Sequence, residues 1–170
     1  SKKSRYNQEP GKDNGELWAQ SRILLALLAY YEFTGKEEVL EAIKGAVDLT
    51  IEHYPEYGNY FDMGRGGGIG HGLMFEEPLE ELYYLTGDEK YAEFSKKMYE
   101  DYSVADNSSR YEDDQKGNLL SDQRFVGHAV HTAEHMRVPI FVLDVLNPEG
   151  YDKIYDAGIE KLNSHSAPTG

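Results

Sequence analysis

Cysteine is absent from these 170 residues, which removes disulfide staples and thiolate metal sites. Basic charge is scarce: 17 lysines and arginines stand against 31 acidic residues, a formal net charge of −14. Nucleic acid and anionic membranes both require basic surface, so neither is expected as a partner. Long apolar runs are missing as well. The longest, Val138 to Leu146, is interrupted by Asp144 and is far too short to span a bilayer. No signal peptide is visible, and the sequence begins at Ser1 without a methionine. Cytoplasmic and periplasmic residence both stay open. Tryptophan occurs once, at Trp18, yet tyrosine occurs 14 times. Flat amphipathic rings suit sugars, and core packing accounts for them equally well. The length is that of one domain able to bury a real core.

A helical hairpin is written twice. Tyr30-Tyr31-Glu32-Phe33-Thr34-Gly35-Lys36-Glu37-Glu38 returns as Tyr83-Tyr84-Leu85-Thr86-Gly87-Asp88-Glu89-Lys90, with the two Thr-Gly pairs 52 residues apart. A weaker third pass has Asn147-Pro148-Glu149-Gly150 at the same place, about 60 residues further on. Such periods belong to stacked helical repeats. The pattern predicts an all-α chain: three helical hairpins, half the ring of an (α/α)6 toroid, over residues 16–163. Residues 1–15 read as an extended lead-in and 164–170 as a C-terminal tail.

Leu17, Ile23, Leu24, Leu27, Leu28 and Tyr31 predict a helix from Glu16 to Phe33, buried on most sides and ended by Gly35. Val39, Leu40, Ile43, Val47 and Ile51 predict a second whose other face is charged. The contrast suggests a buried inner helix paired with a solvated outer one. The next pair is expected at Leu73 to Leu85, with Pro78 in its first turn or kinking it, and at Glu89 to Tyr102. The last is expected at Phe125 to Leu146, kinked before Pro139, and at Tyr151 to Leu162. Long loops, 55–70 and 103–122, precede the second and third inner helices, and loops of that length are usually functional.

Gly66-Gly67-Gly68-Ile69-Gly70-His71 lacks the preceding strand and the Gly-Lys-Ser/Thr ending of a phosphate loop. Its glycines suit a sharp turn or a close approach. His131-Thr132-Ala133-Glu134-His135 matches H-x-x-E-H, with His128 adding a third histidine at helical spacing. A metalloprotease needs a further acidic ligand on a later helix, and little chain follows. A histidine cluster at a sugar-binding rim is the favoured reading, with no metal and no cofactor. Gly70-His71 and Gly127-His128 each open an inner helix after a long loop, and Glu77 and Glu134 follow six residues later. Imidazoles and carboxylates so placed point into one cavity, where they hydrogen-bond hydroxyls or move protons. Capping of helices by the same histidines is the plainer alternative.

Gly70-His71 followed by Leu79 to Tyr91 resembles the glycine-histidine helix and "LYxLTGDxKY" turn of the β-L-arabinofuranosidase-like glycoside hydrolases. Gly127-His128-Ala129-Val130 resembles their "GHAV" motif, and Leu24 to Gly35 their "LxAYxxTG" hairpin. The likeness runs from about residue 16 to 163. It implies an (α/α)6 toroid whose pocket is lined by the openings of the inner helices, with His71 and His128 contacting sugar. Two departures stand out. Three hairpins make half a ring, and the family's catalytic glutamate and cysteine-rich zinc site lie further toward the C-terminus. Around His71, Gly72-Leu73-Met74-Phe75 replaces the usual acidic-apolar pattern.

The reading is therefore part of a glycoside hydrolase supplying sugar contacts through Trp18, His71, His128 and His131. Glu77 and Glu134 are the in-chain carboxyl candidates for a reaction that uses two such groups. Two alternatives remain: a sugar epimerase using the stripe His128, His131, His135 as acid and base, and a non-enzymatic repeat module binding a basic partner. Carbohydrate is the expected ligand. A second copy or a second chain could complete the ring.

Overall fold

A computed structural model describes residues 16–54, 59–63, 70–105 and 113–165. The lead-in 1–15, the glycines from 64 to 69 and the last five residues lie outside the described residues. No strand occurs among the described residues. The first hairpin is α1 (Glu16–Thr34) and α2 (Glu37–His53). A 3₁₀ turn at Tyr60–Met63 and another at His71–Phe75 lead into α3 (Glu76–Thr86), which pairs with α4 (Lys90–Val104). A single turn, α5 (Lys116–Leu119), precedes α6 (Ala129–His135) and α7 (Arg137–Leu146); α8 (Tyr151–His165) closes the third hairpin. The chain is all-α, three hairpins in series as in half of an α-toroid.

The hairpin turns repeat down to their hydrogen bonds. Gly35 and Gly87 both adopt left-handed backbone, φ 63° and 71°. Their amides bond Tyr31 O and Tyr83 O at 2.7 Å in each case. The threonine hydroxyls before them donate back to Tyr30 O and Leu82 O, at 2.8 and 2.6 Å. In the third hairpin Asn147 takes the left-handed role, φ 44°, its amide bonding Leu143 O at 3.0 Å. Glycine, or failing that asparagine, is what this cap requires.

Three expectations need correction. First, α1 is not buried on most sides. Only Leu17, Ser21, Leu24 and Leu28 are covered, a single stripe, while Ile23, Leu27, Tyr30 and Phe33 are exposed. The outer helix α4 is the one wrapped on most of its surface, burying Tyr91, Ala92, Phe94, Ser95, Met98, Tyr99 and Tyr102. It packs against both α3 and α7, whereas no described element covers the far face of α1. Position in the array, not inner or outer rank, decides burial. Second, the helix expected from Phe125 starts at Ala129 and breaks at Met136. Pro139 has no amide to offer the carbonyl of His135 and its ring crowds that carbonyl, so α7 restarts with the proline in its first turn. Pro78 likewise sits in the first turn of α3. Third, α8 runs on to His165, two residues into the expected tail.

Most of the described tyrosines answer to the core. Tyr60, Tyr91, Tyr99 and Tyr102 are among the largest fully buried side chains. Phe61 packs edge-on against Tyr102 at 5.3 Å and Tyr54 against Phe94 at 5.1 Å. Gly72 is set by this packing: a Cβ there would lie 2.8 Å from the Tyr60 ring.

Candidate functional site

The starts of the three inner helical segments gather at one rim. Trp18, in the first turn of α1, lies 4.3 Å from the ring of His71, which opens the second 3₁₀ turn. His71 meets His131 of α6 edge-on at 4.2 Å. His128, immediately before α6, is 4.8 Å from His131, and His135, one turn beyond, lies nearly parallel to it at 5.7 Å. Trp18, His71, His131 and His128 thus form one run of rings. Trp18 is 42% exposed and His128 is exposed, so the run is open to solvent. Helical spacing of three and four places the α6 histidines on one face.

A buried polar segment holds this rim from behind. Asp113 accepts hydrogen bonds from the amides of Val126 (3.0 Å) and Gly127 (2.6 Å), and the Thr132 hydroxyl lies 3.5 Å away. A Cβ on Gly127 would stand 2.9 Å from the same carboxylate, which accounts for glycine before His128. Asp114 Oδ2 is 2.5 Å from Nδ1 of the fully buried His135, and its other oxygen accepts from the Tyr102 hydroxyl at 3.1 Å. Gln115 donates to the carbonyls of Tyr102 and Ala105, ending α4. Asp113, Asp114 and Gln115 lie in the stretch read from sequence as a polar loop. Loop residues carry no periodicity, so nothing in the pattern separated them from their solvated neighbours.

Below the rim, charged groups tie the inner helices together. Arg22, one turn beyond Trp18, pairs with Glu77 Oε2 of α3. Glu77 Oε1 is 3.1 Å from Arg137 at the start of α7, and Arg137 also reaches Glu80 at 2.7 Å. Both oxygens of Glu77 are therefore taken up by guanidinium groups. Glu134 is partly buried, and its side chain makes no hydrogen bond or ion pair among the described residues. Glu76, beside Glu77, is wholly enclosed, and burial, followed by the nearby Glu80 carboxylate, pushes its carboxyl well above the usual range. A fully buried group has no access to a substrate.

Among the described residues no group of three or more histidine, aspartate or glutamate side chains is arranged to hold a metal ion. The zinc site implied by the resemblance draws on thiolates, and these 170 residues contain no cysteine. No helix among the described residues is long and apolar enough to cross a membrane.

Helical hairpins in series, with histidines and a tryptophan gathered at the openings of the inner helices, make the all-α arrangement of an α-toroid. The family model for the β-L-arabinofuranosidase, GH127 catalytic domain, matches residues 1–157, and the chain belongs to that family. No curated protein matches the chain, and no solved structure does.

Proposed function

We propose that this chain supplies the sugar-binding face of a glycoside hydrolase acting on arabinofuranose-containing plant or microbial glycans. The observation that carries the reading is the continuous run Trp18–His71–His131–His128 at one rim. Indole and imidazole faces accept the apolar face of a sugar ring, and imidazole nitrogens meet its hydroxyls. The Arg22–Glu77–Arg137–Glu80 network just below offers donors and acceptors in alternation, which suits a neutral polyol. Residues 16–163 act as one unit in this reading. The apolar face left by Ile23, Leu27 and Leu49 between α1 and α2 seats a further helical hairpin, from elsewhere in the same protein or from a second chain.

Calorimetric titration with methyl β-L-arabinofuranoside tests the binding reading. Saturable binding is expected, weakened about ten-fold or more by His71→Ala or His128→Ala, because losing a positioned hydrogen bond costs about 1–2 kcal/mol. Binding that both variants leave unchanged would sink it. The epimerase alternative keeps one observation in its favour, the adjacent imidazoles of His128 and His131. Product analysis decides: hydrolysis releases a new reducing end, epimerisation leaves the mass unaltered.

A further inference from the structure

Two consecutive buried carboxylates grip the two ends of α6. Asp113 takes the amides of Val126 and Gly127 ahead of the helix, and Asp114 takes His135 at its last residue. Between them lies His131, the centre of the rim, whose ring meets His71, His128 and His135. Taking a carboxylate and an imidazole out of water is expensive, and apolar side chains of similar volume fill a core at least as well. Core packing alone does not explain this pair. A carboxylate facing Nδ1 does something an apolar residue cannot: it fixes which nitrogen carries a proton and holds the ring plane. The Tyr102 hydroxyl braces the arrangement, 3.1 Å from Asp114 Oδ1 and 3.4 Å from His135 Nδ1. Tyr99 donates to the Asp114 carbonyl at 3.1 Å and locks its backbone to α4. The polar neighbours of His135 lie on its Nδ1 side: the Tyr102 hydroxyl is within hydrogen-bond reach, and Asp114 Oδ2 stands 2.5 Å away as a close polar contact outside hydrogen-bond geometry. Nε2 is buried without a hydrogen-bond partner among the described residues.

We propose that Asp114 and His135 are positioning residues for the sugar-binding rim. Asp114 orients the His135 ring, and His135, nearly parallel to His131 at 24°, sets the plane in which His131 faces the ligand. The proposal rests on the sugar-binding reading for what the rim holds, and on the geometry alone for how it is held. Preorganisation of a binding residue by a packed, hydrogen-bonded partner is what gives such sites their affinity.

The test uses the whole chain, ¹⁵N-labelled, with two-bond ¹H–¹⁵N spectra of the imidazoles at fixed pH and titration with methyl β-L-arabinofuranoside. His53 and His165, at the ends of α2 and α8, serve as internal references. Asp114→Asn is expected to move the ring signals of His135 and of His131 while the references stay in place. Sugar affinity should fall about ten-fold, on the order of the loss of one well-placed hydrogen bond. Tyr102→Phe removes only a hydroxyl and is expected to give a smaller shift at the same two rings; it decides the matter if Asp114→Asn does not fold. A response confined to His135, with His131 and affinity unchanged, overturns the proposal. Movement of His131 in a protein that binds no arabinofuranoside leaves the positioning pair standing and overturns the sugar reading instead.

Discussion

Glu76 shows how much one residue's place on a helix matters. It neighbours Glu77, yet α3 turns it wholly inward while Glu77 reaches two arginines. Burial, and next Glu80, hold its proton in the folded state well above the ordinary value of 4.5. Above that pH the unfolded chain has released the proton and the folded chain has not, so stability falls as pH rises toward the folded value. Glu76→Gln keeps the shape and removes the titration. Thermal unfolding should show no gain near pH 4.5 and below, and a higher Tm than the parent that widens from there upward. A difference indifferent to pH would mean that the buried proton is not the cause. The sequence made Glu77 conspicuous through its spacing from His71, but spacing does not report which carboxyl is enclosed. Trp18, His71, His128 and His131 were legible for a different reason. Each stands at or near the start of a helical segment, and such starts converge whenever hairpins stack in parallel.

Among elements, the turns were the most readable part, because their chemistry is local. A left-handed residue after the last helical turn needs glycine, and Thr-Gly announced it twice. A direct consequence follows for stability. Gly87→Ala forces a Cβ into left-handed backbone and should cost about 1–2 kcal/mol, although nothing stands within 4 Å of that Cβ. At Asn147 the change runs the other way: Asn147→Gly relieves φ 44° and should be neutral or stabilising by a few tenths of a kcal/mol. Urea unfolding of the two variants checks both signs, and a costless Gly87→Ala would refute the cap argument. The break at Met136 was half legible. Pro139 required an interruption, but the site where it falls is shared with packing from α8, where a Cβ on Gly158 would run into the Met136 methyl. Burial of α4 over α1 was not legible at all, since amphipathic pattern records a helix's own faces and not how many neighbours it receives.

At the scale of the whole molecule, net charge and local charge point in different directions. A formal −14 invites a cationic partner, and a concave face of a single sign would support one. The inner helices carry something else: Arg22, Glu77, Arg137 and Glu80 alternate in sign across α1, α3 and α7. Much of the acidic excess lies on outward positions such as Glu37, Glu41, Asp48, Glu89, Glu93 and Glu100, all exposed. An alternating face offers no net field to a charged protein, while its donors and acceptors match hydroxyl groups. Salt therefore separates the two partner classes. Binding of a neutral arabinofuranoside at the rim should change less than about two-fold between low salt and roughly 0.5 M, because exposed charges more than a Debye length apart are screened and a neutral ligand does not depend on them. A basic protein held by the outer acidic surface should lose affinity steeply over the same range. Titrations of both ligands across that range decide between a carbohydrate enzyme and a helical-repeat binder. Salt-insensitive sugar binding beside weak, salt-sensitive protein binding is the expected result; tight basic-protein binding with no sugar response would overturn it.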